Sequence, residues 1–174
     1  GSPCEAIDVP IPMRHIEQTL ATLELTDKVP YTFCQSRQRL HDALDMVAIA
    51  RGMTREQLAA DGAASVYAII NTNSPLQYDT PMAMGVIEMA RHGQPTLITP
   101  FSLAGATMPV SLAGALALSN AEMLAGLCLA QLARPGAPVV NGAKTTAVDM
   151  HTGAPGFGWP EFCKAIQMGG QMSI

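Results

Sequence analysis

The 174-residue sequence predicts an α/β fold made of about four parallel βα units. One pattern occurs four times: a short apolar run, small polar residues, then a stretch with helical periodicity. The apolar runs are Tyr31–Cys34, Val66–Asn71, Thr96–Pro100 and Pro138–Asn141. Strands that alternate with helices are typical of a parallel sheet, with functional residues at the carboxyl ends of the strands. A complete (β/α)8 barrel needs about 250 residues. We therefore predict a single unit over residues 1–174, an incomplete TIM barrel.

The composition narrows the possible partners. Hydrophobic residues make up 48% and charged residues 14% of the chain, which is a low charge for a protein that faces water on all sides. An open half-barrel also leaves sheet edges unpaired, so we expect further neighbours, such as a second copy in a homo-oligomer. The net charge of -4 argues against a nucleic-acid partner. Pro100 and Pro109 interrupt the most apolar segment, which argues against a membrane span.

The cysteines indicate neither a metal site nor a disulfide framework. The four are far apart and form no C-x-x-C motif. Cys34 and Cys128 lie in apolar runs and are predicted to be buried thiols. Without a signal peptide, a reducing cytoplasm is the expected location.

Residues 1–12 are predicted to form an extended segment, because they contain three prolines. An amphipathic pattern predicts a helix over His15–Leu25, and Tyr31–Cys34 follows as the first strand. Ser36 is a candidate N-cap for a helix that runs to Ala50. The residues of this helix predicted to face inward are Leu40, Leu44, Val47 and Ala48.

The next part of the chain again alternates predicted helices and strands. Thr54 and Gln57 match a capping box for a short helix through Ala60. The unbroken apolar run Val66–Asn71 predicts a strand buried on both faces. Asp79 or Thr80, followed by Pro81, then opens the next helix. That helix is predicted over Met82–Ala90 and leads to the third strand, Thr96–Thr99.

The last third contains two predicted loops. Phe101–Thr107 is rich in small residues and is interpreted as a loop. Ser111 is predicted to cap a helix to Ala133 that is largely buried, because it is apolar nearly all round. After the fourth strand, Gly142–Gly158 lacks helical periodicity and is predicted to be a long, functional loop. A final helix is predicted over Pro160–Met168.

Polar and aromatic side chains at the strand ends are the candidate site residues. They are Asn71, Asn73 and Ser74 after the second strand, Phe101 after the third, and Asn141 and Asp149 after the fourth. The polar groups can bind a ligand or simply stabilise turns, and the aromatic ring can hold an ammonium group or simply pack in a loop. Glu122, alone in an apolar helix, is expected to have a structural partner such as a backbone amide or an arginine.

Five phrases carry a resemblance to a known family. They are LTDKV at Leu25–Val29, NSPLQYD at Asn73–Asp79, GQPTLITPFSLAGATMPVSLAGALALSNAE at Gly93–Glu122, VDMHTGAPGFGWPE at Val148–Glu161 and QMGGQM at Gln167–Met172. Together, in this order, they resemble the trimethylamine methyltransferase family. The resemblance covers nearly the whole chain and looks like a central fragment of a family member.

The resemblance implies a cytoplasmic TIM-barrel enzyme that transfers a methyl group from a tertiary or quaternary amine to a corrinoid protein. It implies that no cofactor binds the chain directly, since cobalamin is carried by the partner. The family has a pyrrolysine-containing branch acting on trimethylamine and a branch acting on betaines. The segment that would carry pyrrolysine is expected beyond Ile174. The alternative hypothesis is a half-barrel that serves as a non-catalytic binding or assembly module.

Overall fold

The computed structural model describes residues 7–60, 62 and 64–173, and within them six helices and six short strands follow one another. The helices are α1 Arg14–Leu25, α2 Arg37–Ala50, α3 Arg55–Ala60, α4 Thr80–Arg91, α5 Leu112–Ala133 and α6 Pro160–Gln171. The strands are β1 Tyr31–Thr32, β2 Tyr67–Ile70, β3 Thr96–Ile98, β4 Phe101–Ala104, β5 Val139–Asn141 and β6 Lys144–Ala147.

Four strands form one parallel sheet in the order β1, β2, β3, β5. These are the four predicted strands, so the α/β class with parallel βα units is confirmed. The short strands β4 and β6 also pair in parallel. Ile98 pairs with Asn141, and three residues later on both strands Phe101 pairs with Lys144. The second pair therefore extends the first across a short interruption.

The structure corrects the two predicted loops. Phe101–Thr107 contains β4, and Gly142–Gly158 contains β6. Their sequences, FSLA and KTTA, have small or polar residues where a buried strand usually has branched apolar ones. Ser102, Thr145 and Thr146 are nevertheless buried, because α5 packs on both strands and α6 packs on β6.

The core lies between the sheet and its helices. The four residues of α2 predicted to face inward are all buried, and they belong to one cluster with Ala68 and Ile70 of β2. Because side chains alternate along a strand, Ile69 points to the opposite face of the sheet. Ile69 pairs with Leu97, and Leu97 pairs with Val140, so these residues form a row across that face. Val140 is 46% exposed, so part of the row is uncovered.

The N-caps follow the predictions. Ser36 accepts a hydrogen bond from Arg39 N, Asp79 from Met82 N, and Ser111 from Gly114 N. The capping box is also present, since Thr54 N donates to Gln57 Oε1 and Gln57 N donates to Thr54 Oγ1. Local hydrogen bonds of this kind satisfy the free amides of a helix start.

Two terminal predictions are adjusted. Residues 7–13 form turns, with Met13 N donating to Pro10 O, instead of an extended segment; residues 1–6 lie outside the described residues. The last helix continues to Gln171, three residues beyond the predicted end. The added residues keep the helical hydrogen bonding, since Met172 N donates to the Met168 carbonyl.

Helix α5 is less buried than predicted. It packs on α4, α6 and the strands from β3 onward, but Leu124, Leu132 and Cys128 on its outer side are exposed. The prediction of a buried Cys128 is therefore wrong, because a helix laid on one face of a sheet buries only one side. Cys34 is buried as predicted, and burial raises the pKa of its thiol to about 12.

Among the described residues, α5 alone is long and apolar enough to cross a membrane. Its buried side contacts the sheet and carries Glu122, which is hydrogen-bonded to other parts of the chain. These contacts are those of a helix packed in a protein core.

Gly126 marks a close approach between α5 and its neighbours. An added Cβ would lie 2.4 Å from the Tyr78 hydroxyl oxygen and 2.6 Å from Ile98 Cδ1. Gly126→Ala is therefore expected to lower the free energy of unfolding by about 1–3 kcal/mol, because neighbouring side chains must leave their preferred rotamers. Denaturant unfolding measures this change. Gly169→Ala is the matched control, since no atom lies within 4 Å of its added Cβ. Equal midpoints for the two variants would contradict the prediction.

Candidate functional site

A cavity of about 590 Å³ lies at the carboxyl ends of β2 and β3, next to β4 and the start of β6. We call it the strand-end cavity; its lining residues are Ile69, Asn71, Thr72, Asn73, Ser74, Thr99, Phe101, Leu103, Thr107, Lys144 and Phe157. Four of the six predicted site residues are among them, namely Asn71, Asn73, Ser74 and Phe101. The volume is within the range usual for small-molecule sites, about 300–1,000 Å³.

Asn71 is oriented by Thr99 from the neighbouring strand. The Thr99 hydroxyl donates to Asn71 Oδ1 at 2.7 Å, and Thr99 N donates to the Ile70 carbonyl at 2.8 Å. Because the amide oxygen accepts this bond, the Asn71 nitrogen remains a donor, and it has no hydrogen-bond partner among the described residues. The end of β2 thus presents an oriented amide donor to the strand-end cavity.

The loop after Asn71 is held by Glu122 from α5. The Glu122 carboxylate accepts hydrogen bonds from the Thr72 hydroxyl, from the Ser74 hydroxyl at 2.7 Å and from Leu76 N at 2.7 Å. The residue is 2% exposed. The expectation of a structural partner is confirmed, and the partners are hydroxyls and a backbone amide. Glu122 therefore positions two hydroxyls that line the strand-end cavity.

A second contact ties the same helix to this loop. The Tyr78 hydroxyl donates to the Glu122 carbonyl at 2.8 Å. Burial, together with the nearby Glu122 charge, raises the pKa of Tyr78 to about 12. Tyr78 thus stays neutral at physiological pH, and its hydrogen bond helps to fix α5 against the loop.

The aromatic part of the lining consists of Phe101 and Phe157. Their rings are stacked, with centroids 5.9 Å apart and an interplanar angle of 13°. Phe162 of α6 meets Phe157 edge-on, with centroids 5.6 Å apart, and supports it from behind. Phe101 begins β4, directly opposite Lys144 of β6. Phe101, Phe157 and Lys144 therefore all line the strand-end cavity.

Asn141 lies outside this lining. Its amide nitrogen donates to Ser173 Oγ at 2.5 Å, and its oxygen accepts from Ala143 N at 3.0 Å. It lines a second cavity of about 290 Å³ between the end of β5 and α6, and Lys144 borders both this cavity and the strand-end cavity. Its assignment as a substrate-binding residue stays a prediction.

Asp149 also lies outside the strand-end cavity. Its Oδ1 accepts from His151 N at 2.8 Å and from Thr152 N at 3.2 Å, which closes a turn. This is the ordinary role of an Asp in a loop. A role in cation binding stays a prediction.

The sequence was compared with known families and proteins. The profile of the trimethylamine methyltransferase family (MTTB) matches residues 1–174. The chain belongs to this family. Over 99% of its length it is 33% identical to the glycine betaine methyltransferase of Desulfitobacterium hafniense (strain Y51), and the match covers 36% of that relative.

Two further relatives of this trimethylamine methyltransferase family member match over shorter stretches. The trimethylamine methyltransferase MttB1 of Methanosarcina mazei is 42% identical over 88 residues, which is 51% of the chain and 18% of the relative. The proline betaine:corrinoid methyltransferase of Eubacterium limosum is 39% identical over 95 residues, which is 55% of the chain and 19% of the relative. The chain thus spans about a third or less of the curated relatives that it matches.

Sequence reasoning did not single out Lys144 and Phe157 of this family member. Phe157 follows β6, in a stretch whose lack of helical periodicity predicts a loop. Its position therefore depends on a strand that the residue pattern does not indicate. Only a weak pattern indicates Lys144: it comes three residues after Asn141, and Asn141 ends a predicted strand. Among the described residues, Lys144 is the one charged side chain in the lining.

Proposed function

We propose that the chain is part of an enzyme that transfers a methyl group from a tertiary or quaternary methylated amine to a corrinoid on a separate protein. The support is membership of the trimethylamine methyltransferase family over the whole chain and the names of its relatives, which act on trimethylamine, glycine betaine and proline betaine. This support favours an enzyme over a non-catalytic binding or assembly module. The proposal includes the cytoplasmic location that the family resemblance implies.

The observation that carries the proposal is the pair of stacked rings at the strand-end cavity. Phe101 and Phe157 are 38% and 58% exposed, so part of each ring surface remains available to a ligand. An ammonium group near an aromatic face gains about 0.5–2 kcal/mol. Methyl groups on nitrogen suit such a surface, since they are apolar and share the positive charge.

The rest of the lining suits a reaction whose nucleophile comes from another protein. Among the described residues it contains amides, hydroxyls, apolar groups and one lysine, with no acid or histidine. When its carrier protein is docked, the corrinoid supplies the electron pair that accepts the methyl group. The C–N bond electrons leave with the nitrogen, which departs as a neutral amine from a quaternary ammonium or from a tertiary amine that is already protonated, so no general acid is needed.

The tasks of this chain are then binding, alignment and exclusion of water. Phe101 and Phe157 hold the ammonium, while Asn71 and the hydroxyls of Thr72 and Ser74 orient the rest of the substrate. Holding a reactant in the correct geometry supplies much of the rate enhancement in reactions of this kind. The buried Glu122 keeps the two hydroxyls in place.

We also propose that the four βα units are part of a (β/α)8 barrel. The row of Ile69, Leu97 and Val140 supports this, because such residues fill the interior of a barrel when further strands close it. Within the described residues, β1 and β5 are the edges of the sheet. Further strands, or a second copy in a homo-oligomer, would pair with these edges.

Phe101 provides the test of the proposed function. We expect the protein that carries this chain to transfer a methyl group from trimethylamine or a betaine to reduced cobalamin. The change in the visible absorbance of the cobalamin measures this transfer. Phe101→Leu keeps an apolar side chain but removes the aromatic face. It is expected to weaken binding of the ammonium substrate by about 3- to 30-fold, whereas Phe101→Tyr is expected to retain it.

Two results of this test would count against the proposals. Absence of methyl transfer from every methylated amine would contradict the proposed function. Equal substrate affinities for wild type, Phe101→Leu and Phe101→Tyr would remove Phe101 from the site. Unfolding midpoints of the variants serve as the control, since a partly exposed ring should contribute little to stability.

A further inference from the structure

We infer that Lys144 is a specificity-determining residue: its ammonium binds a carboxylate of the substrate while the stacked rings of Phe101 and Phe157 hold the quaternary nitrogen. The strand-end cavity would then select a zwitterionic betaine over a methylated amine that has no acid group. This inference rests on the proposed function and adds the residue that distinguishes two classes of substrate.

The sheet register places the two binding elements next to each other. Phe101 and Lys144 are direct partners on the parallel strands β4 and β6, and both line the strand-end cavity. Paired residues on neighbouring strands point to the same face and start about 4.8 Å apart. The flexible Lys144 side chain therefore reaches positions close to the rings. A betaine has its carboxylate close to its ammonium, which matches this arrangement of charge beside an aromatic face.

Lys144 has its charge available for a ligand. The side chain is exposed, and among the described residues no carboxylate lies within ion-pair distance of its ammonium. The Glu122 carboxylate, which lies behind Thr72 and Ser74, already accepts hydrogen bonds from those two hydroxyls and from Leu76 N. Within the part of the chain that the structure describes, the Lys144 charge therefore has no acidic partner to neutralise it.

This charge makes opposite contributions for the two classes of substrate. A cation without an acid group meets like-charge repulsion from Lys144, whereas a carboxylate gains a charge-assisted hydrogen bond. The free amide nitrogen of Asn71 offers a second donor in the same cavity, because its oxygen is already bonded to Thr99. Repulsion of one ligand and attraction of the other together produce specificity.

Equilibrium binding without the corrinoid protein tests the inference. Glycine betaine and tetramethylammonium are titrated calorimetrically into the protein that carries this chain. Lys144→Met is expected to weaken glycine betaine by about tenfold or more, the loss of one charge-assisted hydrogen bond. The same variant should bind tetramethylammonium as well as wild type or better. Lys144→Arg should keep most of the affinity for glycine betaine.

Lys164→Met is the matched control, because Lys164 is exposed on α6 and outside the strand-end cavity. It should leave both affinities unchanged. If Lys144→Met weakens both ligands equally, or neither, the inference is wrong. An effect of Lys144→Met on the KM for the corrinoid protein alone would also overturn it, by assigning Lys144 to partner docking.

The inference and the proposed function fail in different ways. A wild-type protein that binds tetramethylammonium with no preference for glycine betaine contradicts the role of Lys144 and leaves the proposed function standing. A protein that binds neither ligand and transfers no methyl group contradicts both.

Discussion

Glu122→Ala is expected to lower the free energy of unfolding by about 2–4 kcal/mol. The buried carboxylate accepts three hydrogen bonds, and its removal leaves the Thr72 and Ser74 hydroxyls and Leu76 N without that partner. A buried polar group left unpaired costs about 1–3 kcal/mol, although some of these groups will find water. Urea unfolding of wild type and variant measures the change directly.

The same variant should also weaken substrate binding, because the two released hydroxyls line the strand-end cavity. Glu122→Gln separates charge from shape: it keeps the side-chain volume and one strong acceptor, so we expect a loss of about 1 kcal/mol. Glu24→Ala is the control, since Glu24 is exposed on α1 and should change stability by less than about 0.5 kcal/mol. A Glu122→Ala midpoint as high as that of Glu24→Ala would show that the carboxylate does not hold the loop.

Glu88→Ala is expected to lower the free energy of unfolding by about 3 kcal/mol. Glu88 of α4 is buried and accepts hydrogen bonds from His41 Nε2 at 2.9 Å and from Arg91 Nη1 at 3.1 Å. It also forms an ion pair with Arg37, with the nitrogen and oxygen 3.2 Å apart. Glu88 is the buried member of this cluster, and its removal deletes three charged contacts at once. The exposure of both arginines to solvent keeps the expected cost at the low end for such clusters.

Glu88 also makes stability depend on pH. Burial alone would raise the pKa of Glu88, but the hydrogen bond from His41 and the charges of Arg37 and Arg91 lower it below its ordinary value of 4.5. A lowered pKa in the folded state means that the stabilisation is complete above the unfolded pKa and is lost as the pH falls through the folded pKa. We therefore expect the chain to lose stability below about pH 4.5.

Glu88→Gln isolates this contribution, because it keeps the shape and removes the titrating group. Its unfolding free energy should fall less steeply with acid than that of wild type. Asp42, whose pKa is lowered by its hydrogen bond from His15, still titrates in both proteins and cancels in the comparison. Asp45→Asn is the control: it breaks an exposed ion pair with Arg55 and should cost less than about 1 kcal/mol. Parallel pH profiles for wild type and Glu88→Gln would contradict the assignment.

Local chemistry explains what could be predicted about the fold. Ser36, Asp79 and Ser111 each cap a helix through an amide three residues away, so their role is visible in a short window of sequence. Helical periodicity likewise predicted which side of α2 is buried. The apolar composition of α5 overestimated its burial, because an apolar helix surface does not say whether a neighbour covers it.

Some residues of the candidate site could likewise be predicted from the sequence, and others could not. Asn71, Asn73, Ser74 and Phe101 could be found as polar or aromatic residues at strand ends, because the ends of parallel strands share one edge of a sheet. Asn141 follows the same rule but meets α6 instead of the strand-end cavity. The rule predicts the edge on which a residue lies, and it does not predict the helix that packs against that edge.

The sequence by itself determined the α/β class, the order of the helices and main strands and the helix caps, since these depend on residues close together in the chain. Only the tertiary structure decided that Phe101–Ala104 and Lys144–Ala147 are strands, since each needs the other, about forty residues away, to complete its hydrogen bonds. It likewise decided that Lys144 and Phe157 meet Phe101 and that Glu122 holds the loop after β2. Such contacts join distant segments, and no local pattern of residues encodes them.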